Sequence, residues 1–355
     1  MKTKQFIISV ALMISATIFS QTFPDTEWAY NMNAYKEGWS DSKGKELYKY
    51  IVDSTNITSM LIVHKGKVVY QYGDVKQNTY IASCRKSVLS MLYGKYVENG
   101  TIRLNETIKT LGIDDVDGVL PIEQKATIKD LISSRSGIYR RASNPGTWVK
   151  YLKKRGTVEP GTRWLYNNWD FNVAGFIFES KSKKNIYDAV RDELALPLQM
   201  EDWNRTIHKK SGDVTRSKYL GYPMWFSSRD LARLGLLMLN KGKWKNKQII
   251  PENWVNEMIT PRTTAKEMQK SVPVMNTGEH RFAYGYMWWL WENHNDWRLK
   301  DAYSALGAYG QNITILPEID AVIVFNTKPE YGRFNNGKIT QELPARIVKI
   351  YDESE

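Results

Sequence analysis

The sequence predicts an α/β fold: a sheet domain assembled from both ends of the chain and interrupted by a mostly helical insertion. Two observations carry this. Strand-like runs cluster near residues 59–72 and again across 284–325, while helical periodicity dominates between them. The chain has 355 residues, 42% hydrophobic and 25% charged, an ordinary composition for a globular protein and enough length for two lobes. The expected boundaries are 21–100 and 214–355 for the sheet domain and 101–213 for the helical one.

The elements follow in order. Residues 1–20 carry Lys2 and Lys4 ahead of an uncharged, mostly apolar run of 14 residues, Phe6 to Phe19. That run is short of the ~20 residues a membrane span needs. It fits a secretory signal peptide cut after Ser20, with an uncleaved anchor as the alternative. The expected location is therefore secreted or periplasmic, with no membrane span once the signal is removed. Ser59–Val63 and Val68–Tyr72 flank a Lys65-Gly66 turn and predict a β-hairpin, with His64 at the turn. Val88, Leu89, Leu92, Tyr96 and Val97 recur at helical spacing, and Asn99-Gly100 closes that helix. Residues 127–135 form a short amphipathic helix ending at Ser136-Gly137. Glu159-Pro160-Gly161-Thr162 is a turn, and Asp170–Ser180 and Ile186–Leu198 are helices. Ser227 caps a helix whose apolar face is Leu231, Leu234, Leu237 and Met238. Tyr284–Leu290, Ala302–Leu306, Asn312–Leu316 and Ala321–Phe325 are the late strands, and Ala345–Tyr351 is a closing helix.

Charge and cysteine content exclude several classes. Cys84 is the sole cysteine, so the chain holds no internal disulfide. The net charge is +12, with a local cluster at Lys150 and Lys153-Lys154-Arg155. No nucleic-acid motif accompanies it, and it is taken as a solvated basic face, with attraction to an acidic envelope or polyanionic surroundings as the alternative. His64, His208, His280 and His294 match no metal-ligand spacing, and no phosphate-binding loop is present. No metal and no cofactor are expected.

Three segments carry chemistry. Ser83-Cys84-Arg85-Lys86 puts a hydroxyl and an amine one helical turn apart. The same spacing recurs at Ser40/Lys43, Ser42/Lys45 and Ser180/Lys183, but only Ser83 stands at an abrupt strand-to-helix junction, where amides favour an oxyanion. Ser83 is thus a nucleophile or simply a helix cap. Tyr166-Asn167-Asn168 holds the chain's one Tyr-x-Asn. A lysine ammonium beside Tyr166 would favour its phenolate and let it shuttle the serine proton, whereas a packing tyrosine is the plainer alternative. Asn168 offers an amide to orient substrate or the lysine. Ser304 to Gln311 reads as a strand, a glycine-rich turn and a strand. Gly307 permits close backbone approach, and an amide near Ala308 would complete an oxyanion hole with that of Ser83.

Together these segments resemble the serine β-lactamase-like superfamily. The similarity is to its class C-type branch, with family VIII-type esterases, D-amino-acid peptidases and nylon-oligomer (6-aminohexanoate-dimer) hydrolases. It covers roughly residues 55–350 and includes LISSRSGIY, EPGTRWLYNNWDFNVAGFIFES, the segment from Ser227 to Val255, and YGYMWW. The resemblance implies a β-lactamase/transpeptidase-like fold: a mixed, mainly antiparallel sheet flanked by helices, a helical domain, and a cleft between the two. It implies Ser83 as nucleophile, Lys86 and Tyr166 as the proton-transfer pair, Asn168 as the motif asparagine, and the Ser83 and Ala308 amides around the oxyanion. Where relatives carry Lys-Thr-Gly or His-Thr-Gly, this chain has Ala305-Leu306-Gly307. The lost cation costs a carboxylate-bearing substrate roughly 1.5–3 kcal/mol. The expected function is an exported serine hydrolase acting on a small-molecule or oligomeric ester or amide. A D-Ala carboxypeptidase or weak β-lactamase, and a non-catalytic sensor, are the alternatives. Trp148, Trp164, Trp169, Trp225, Trp288 and Trp289 flank the motifs, as core or as cleft wall.

Overall fold

A computed structural model describes residues 22–352 except 145, 293, 330, 331, 334 and 336. The expected signal peptide, residues 1–20, lies outside the described residues. A seven-stranded antiparallel sheet forms the centre. In chain order its strands are β1 (Ser59–His64), β2 (Lys67–Gly73), β3 (Arg281–Tyr284), β4 (Trp289–Glu292), β5 (Tyr303–Gly307), β6 (Gln311–Leu316) and β7 (Ala321–Asn326). Their order across the sheet is β2-β1-β7-β6-β5-β4-β3. β1 pairs with β7 in register Ser59↔Asn326 through His64↔Ala321, so an early strand and a late strand are neighbours inside the sheet.

Nine helices are described: α1 (Asp41–Ser54), α2 (Cys84–Glu98), α3 (Ile128–Ile132), α4 (Asn168–Ser182), α5 (Ile186–Val190), α6 (Ser228–Leu239), α7 (Glu252–Met258), α8 (Ala265–Ser271) and α9 (Ile339–Val348). Strand periodicity explains the two cores. Leu61, Val63, Val322 and Val324 point to one face, beneath α2 and α6. Met60, Ile62, Ile323 and Phe325 point to the other, beneath α9 and the apolar side of α1. Both faces are covered, so β1, β6 and β7 are buried along their whole length. Among the described residues no helix is long and apolar enough to cross a membrane.

Four expectations are corrected. Tyr284–Leu290 is not one strand: Tyr284 ends β3, residues 285–288 turn, and Trp289-Leu290 begin β4. Gly285 has no room for a side chain, with the Met258 carbonyl 2.1 Å from where a Cβ would stand. The Tyr286 and Met287 carbonyls accept from Ser90 Oγ (2.7 Å) and Ser87 Oγ (2.6 Å), which anchors this turn to α2. α9 begins six residues before the expected Ala345 and runs through Pro344. Proline supplies no N–H to the carbonyl four residues back. Here that carbonyl, Thr340 O, accepts from Asn312 Nδ2 instead. The Ile186–Leu198 helix is α5 followed by a wider π-helical turn over Arg191–Ala195. His64 ends β1, buried, rather than lying in the turn.

That burial has a consequence for acid stability. His64 lies between the Trp39 and Tyr351 rings, at 5.6 and 5.5 Å, with Nδ1 3.2 Å from Glu37 Oε2. Burial, reinforced by Lys65, outweighs the Glu37 carboxylate and lowers its pKa from 6.5 to about 4. The unfolded chain therefore takes up a proton at higher pH than the folded one. Stability present above pH 6.5 is lost as pH falls toward 4. Between pH 7.5 and 4.5 this amounts to about 2–3 kcal/mol. His64→Gln is expected to shrink the pH 7.5-to-4.5 stability difference by that amount in urea titrations. An unchanged difference would show that His64 does not titrate as described.

Candidate active site

The first element of the site is the entry to α2. Thr79–Tyr80 pairs with Trp225–Phe226, and the Ile81 amide donates to Met224 O at 3.0 Å. Ala82 then turns the chain with φ +46°, a left-handed conformation that costs a non-glycine residue about 1–3 kcal/mol. The Cys84 amide closes the turn onto Ile81 O at 3.1 Å. Ser83 occupies the cap position of α2, yet its side chain makes no capping hydrogen bond. The hydroxyl is instead held by Lys86, whose Nζ donates to Ser83 Oγ (2.9 Å) and to Tyr166 OH (2.8 Å).

The second element places Tyr166. It immediately precedes Asn167, which caps α4 by accepting from the Trp169 amide. Asn167 Nδ2 also donates to Ile138 O and Arg140 O, at 3.1 and 2.9 Å. Asn167 thus fixes the loop that carries Tyr166. Nothing in the sequence pattern singles it out, although it lies inside the Tyr-x-Asn motif. Asn168 opens α4 and is buried near Gly146; it is not among the residues of the cleft wall. Tyr166 packs on Phe171 and Trp289, with ring centroids 4.7 and 5.6 Å away.

Electrostatics revise the expected phenolate–ammonium pair. Lys86 is 1% exposed and has no carboxylate at ion-pair distance among the described residues. Burial, reinforced by the neighbouring Arg85, holds its ammonium well below the ordinary lysine range. Burial likewise pushes the Tyr166 phenol up, against the lowering effects of Ser83 and Arg85. Both shifts run against a phenolate–ammonium pair. Arg85 is itself buried, over the Tyr222 ring at 4.8 Å and donating to Ala82 O. Cys84 is a poor competing nucleophile. It is fully buried, its Sγ donates to Ala305 O at 3.4 Å, and burial raises its thiol pKa.

The third element is the β5–β6 hairpin. Gly307 packs so close to the turn before Ser83 that a Cβ would lie 2.6 Å from Ile81 O. Ala308 follows on the exposed turn and lines the same cleft as Ser83. That cleft has a volume of about 450 Å³. Trp148, Phe282, Trp289, Leu306 and Tyr309 supply its apolar surface, and Asn276, Asn335 and Gln341 supply polar groups. No lysine, arginine, aspartate or glutamate is among its described lining residues. His280 is the one titratable imidazole there, stacked on His294 at 5.1 Å. Nothing in the sequence singled it out, because the pairing is made by the fold. Among the described residues no cluster of three or more histidine, cysteine or acidic side chains could hold a metal ion. Of the motif-flanking tryptophans, Trp148 and Trp289 reach the cleft, whereas Trp164, Trp169 and Trp288 are core.

A family model described as Beta-lactamase matches residues 52–343. Among solved structures, a putative 6-aminohexanoate-dimer hydrolase from Bacillus anthracis is 18% identical with a TM-score of 0.60, covering 85% of this chain and 79% of its own. A putative beta-lactamase from Bacteroides dorei is 17% identical with a TM-score of 0.64, covering 88% and 99%. EstCE1, a hydrolase with promiscuous acyltransferase activity, is 15% identical with a TM-score of 0.62, covering 87% and 97%. At such identities the likeness shows the fold.

Proposed function

The chain belongs to the beta-lactamase family, and from that premise we propose that it is an exported serine hydrolase that cleaves an ester or amide through an acyl-enzyme. The observation that carries the proposal is the contact of Lys86 Nζ with both Ser83 Oγ and Tyr166 OH at the wall of the cleft. In this reading the neutral Lys86 amine takes the Ser83 proton as Oγ attacks the substrate carbonyl. Lys86 and Tyr166 pass that proton to the leaving alcohol or amine. The Ser83 and Ala308 amides hold the tetrahedral oxyanion. Water then enters by the same route in reverse, its hydroxyl going to the acyl group and its proton restoring Ser83. Export is proposed on the composition of residues 1–20 alone.

The uncharged cleft favours an ester or amide whose reacting end is neutral. A β-lactam or D-Ala terminus would bring a carboxylate to Ala305-Leu306-Gly307, where no cation waits. The test is covalent labelling. A fluorophosphonate probe is expected to add its mass to the tryptic peptide Gln77–Arg85, at Ser83. Ser83→Ala should abolish the adduct. Labelling that persists in Ser83→Ala, or falls elsewhere, would refute the assignment.

A further inference from the structure

A second groove of about 580 Å³ adjoins the catalytic cleft. The two share walls. Segment 271–275 gives Ser271 and Pro273 to the groove and Val274 and Met275 to the cleft. Trp148 of the cleft lies 6.0 Å from Tyr151 of the groove, and Trp164 of the groove lies 6.5 Å from the Tyr166 ring. The two sites differ sharply in charge. The cleft has no lysine, arginine or carboxylate in its described lining, whereas Arg135, Lys150, Lys153, Arg163 and Lys270 line the groove beside a single carboxylate, Glu267.

Glu267 is engaged by Arg135 at 3.4 Å. The other four cations make no ion pair among the described residues. Arg163 is pinned by Tyr139 OH (3.0 Å) and Ser271 O (2.8 Å), which fixes one charge on the wall. The sequence offered a solvated face at Lys150 and Lys153, with attraction to polyanionic surroundings as the alternative. The fold adds the nearby Arg163 and, from a distant segment, Lys270, and makes the surface concave over Tyr151 and Trp164. Like charges gathered in a concavity with apolar walls raise each other's energy and focus a positive potential. An anion relieves both.

We propose that this groove binds the anionic part of an extended substrate, a carboxylate, phosphate or sulfate several bonds from the ester or amide that reacts in the uncharged cleft. The proposal rests on the reading of Ser83 as nucleophile. It gives the basic cluster a role in recognising substrate rather than in solubility.

The test uses the full chain carrying Ser83→Ala, titrated with oligogalacturonate (carboxylate) and with hexametaphosphate (phosphate) by calorimetry. At least one should bind, with affinity falling steeply as sodium chloride rises, and the difference between the two identifies the anion. In Lys150→Glu/Lys153→Glu/Lys270→Glu, affinity should fall about tenfold or more. With Ser83 restored, the same triple variant should hydrolyse neutral p-nitrophenyl butyrate within about twofold of the parent. If charge reversal prevents folding, the three single Lys→Gln variants should each weaken binding in the same direction. Absence of binding by both probes, or equal affinity in the variants, would overturn the proposal. A protein that binds but is not labelled at Ser83 would instead sink the hydrolase reading and leave only an anion site.

Discussion

Lys86→Met is expected to lower kcat/KM for p-nitrophenyl butyrate by about 10³- to 10⁴-fold while leaving the melting temperature unchanged or raised. The two halves have one cause. Lys86 is fully enclosed, contacts the Ser83 and Tyr166 hydroxyls, and rests 4.4 and 4.7 Å from the Tyr166 and Phe171 ring centres. Methionine keeps most of that volume, and volume-conserving core exchanges cost under about 1.5 kcal/mol. It also removes an amine whose charged form is disfavoured there. What disappears, in the proposed mechanism, is the proton acceptor for Ser83, and general-base loss alone is worth about 10²–10⁴. Loss of the bond that holds the hydroxyl in place places the effect toward the upper end. The pH profile gives a second reading. Burial holds the Lys86 ammonium low, so wild-type activity should rise with pH along a limb well below the ordinary lysine pKa of about 10.4. That limb should vanish in Lys86→Met. A variant within tenfold of wild type would show that Lys86 is not the base.

What the sequence made legible here is the short-range chemistry. Ser83 and Lys86 meet because three residues make almost one helical turn, a relation that needs no tertiary information. The hairpin of β1 and β2 and the strands β5 to β7 were equally plain, since turn chemistry and period-two patterns are local. The misreadings arise where a distant partner decides. Tyr286-Met287-Trp288 has strand composition, but its carbonyls serve the Ser87 and Ser90 hydroxyls nearly 200 residues upstream in the chain. α1 was not foreseen because its inward side rests on few apolar residues, chiefly Leu47 and Ile51, so its pattern is sparse. The phenolate expected at Tyr166 is disfavoured for a related reason. A pairwise argument sees the lysine but not the burial that discourages charge on both groups. Neither the uncharged lining of the cleft nor the basic groove could be read in advance, because each gathers residues from segments more than 100 positions apart.

Gly307→Ala is expected to cut kcat by about 10²- to 10³-fold, with KM changed far less and stability lowered by roughly 1–3 kcal/mol. The added methyl would stand 2.6 Å from Ile81 O and 2.8 Å from Gln311 Cβ. Neither neighbour is the free end of a flexible side chain. Ile81 O is the acceptor that closes the Ala82-Ser83 turn through the Cys84 amide, so it cannot move without disturbing Ser83. The yielding element is therefore β5, displaced away from the α2 entry together with Ala308. That displacement opens the space between the Ser83 and Ala308 amides, where the oxyanion would be held. An oxyanion donor acts on charge that develops only in the transition state, so its loss appears in kcat rather than in ground-state binding. The Ser83–Lys86–Tyr166 contacts lie on α2 and before α4, and they should survive the substitution. Fluorophosphonate should accordingly still label Ser83, more slowly, which separates this variant from Lys86→Met and from a misfolded chain. Wild-type kcat in Gly307→Ala would mean that the hairpin amide takes no part in holding the oxyanion. Gly307→Val, with two further methyl groups against the same carbonyl, should enlarge the loss in the same order of effects.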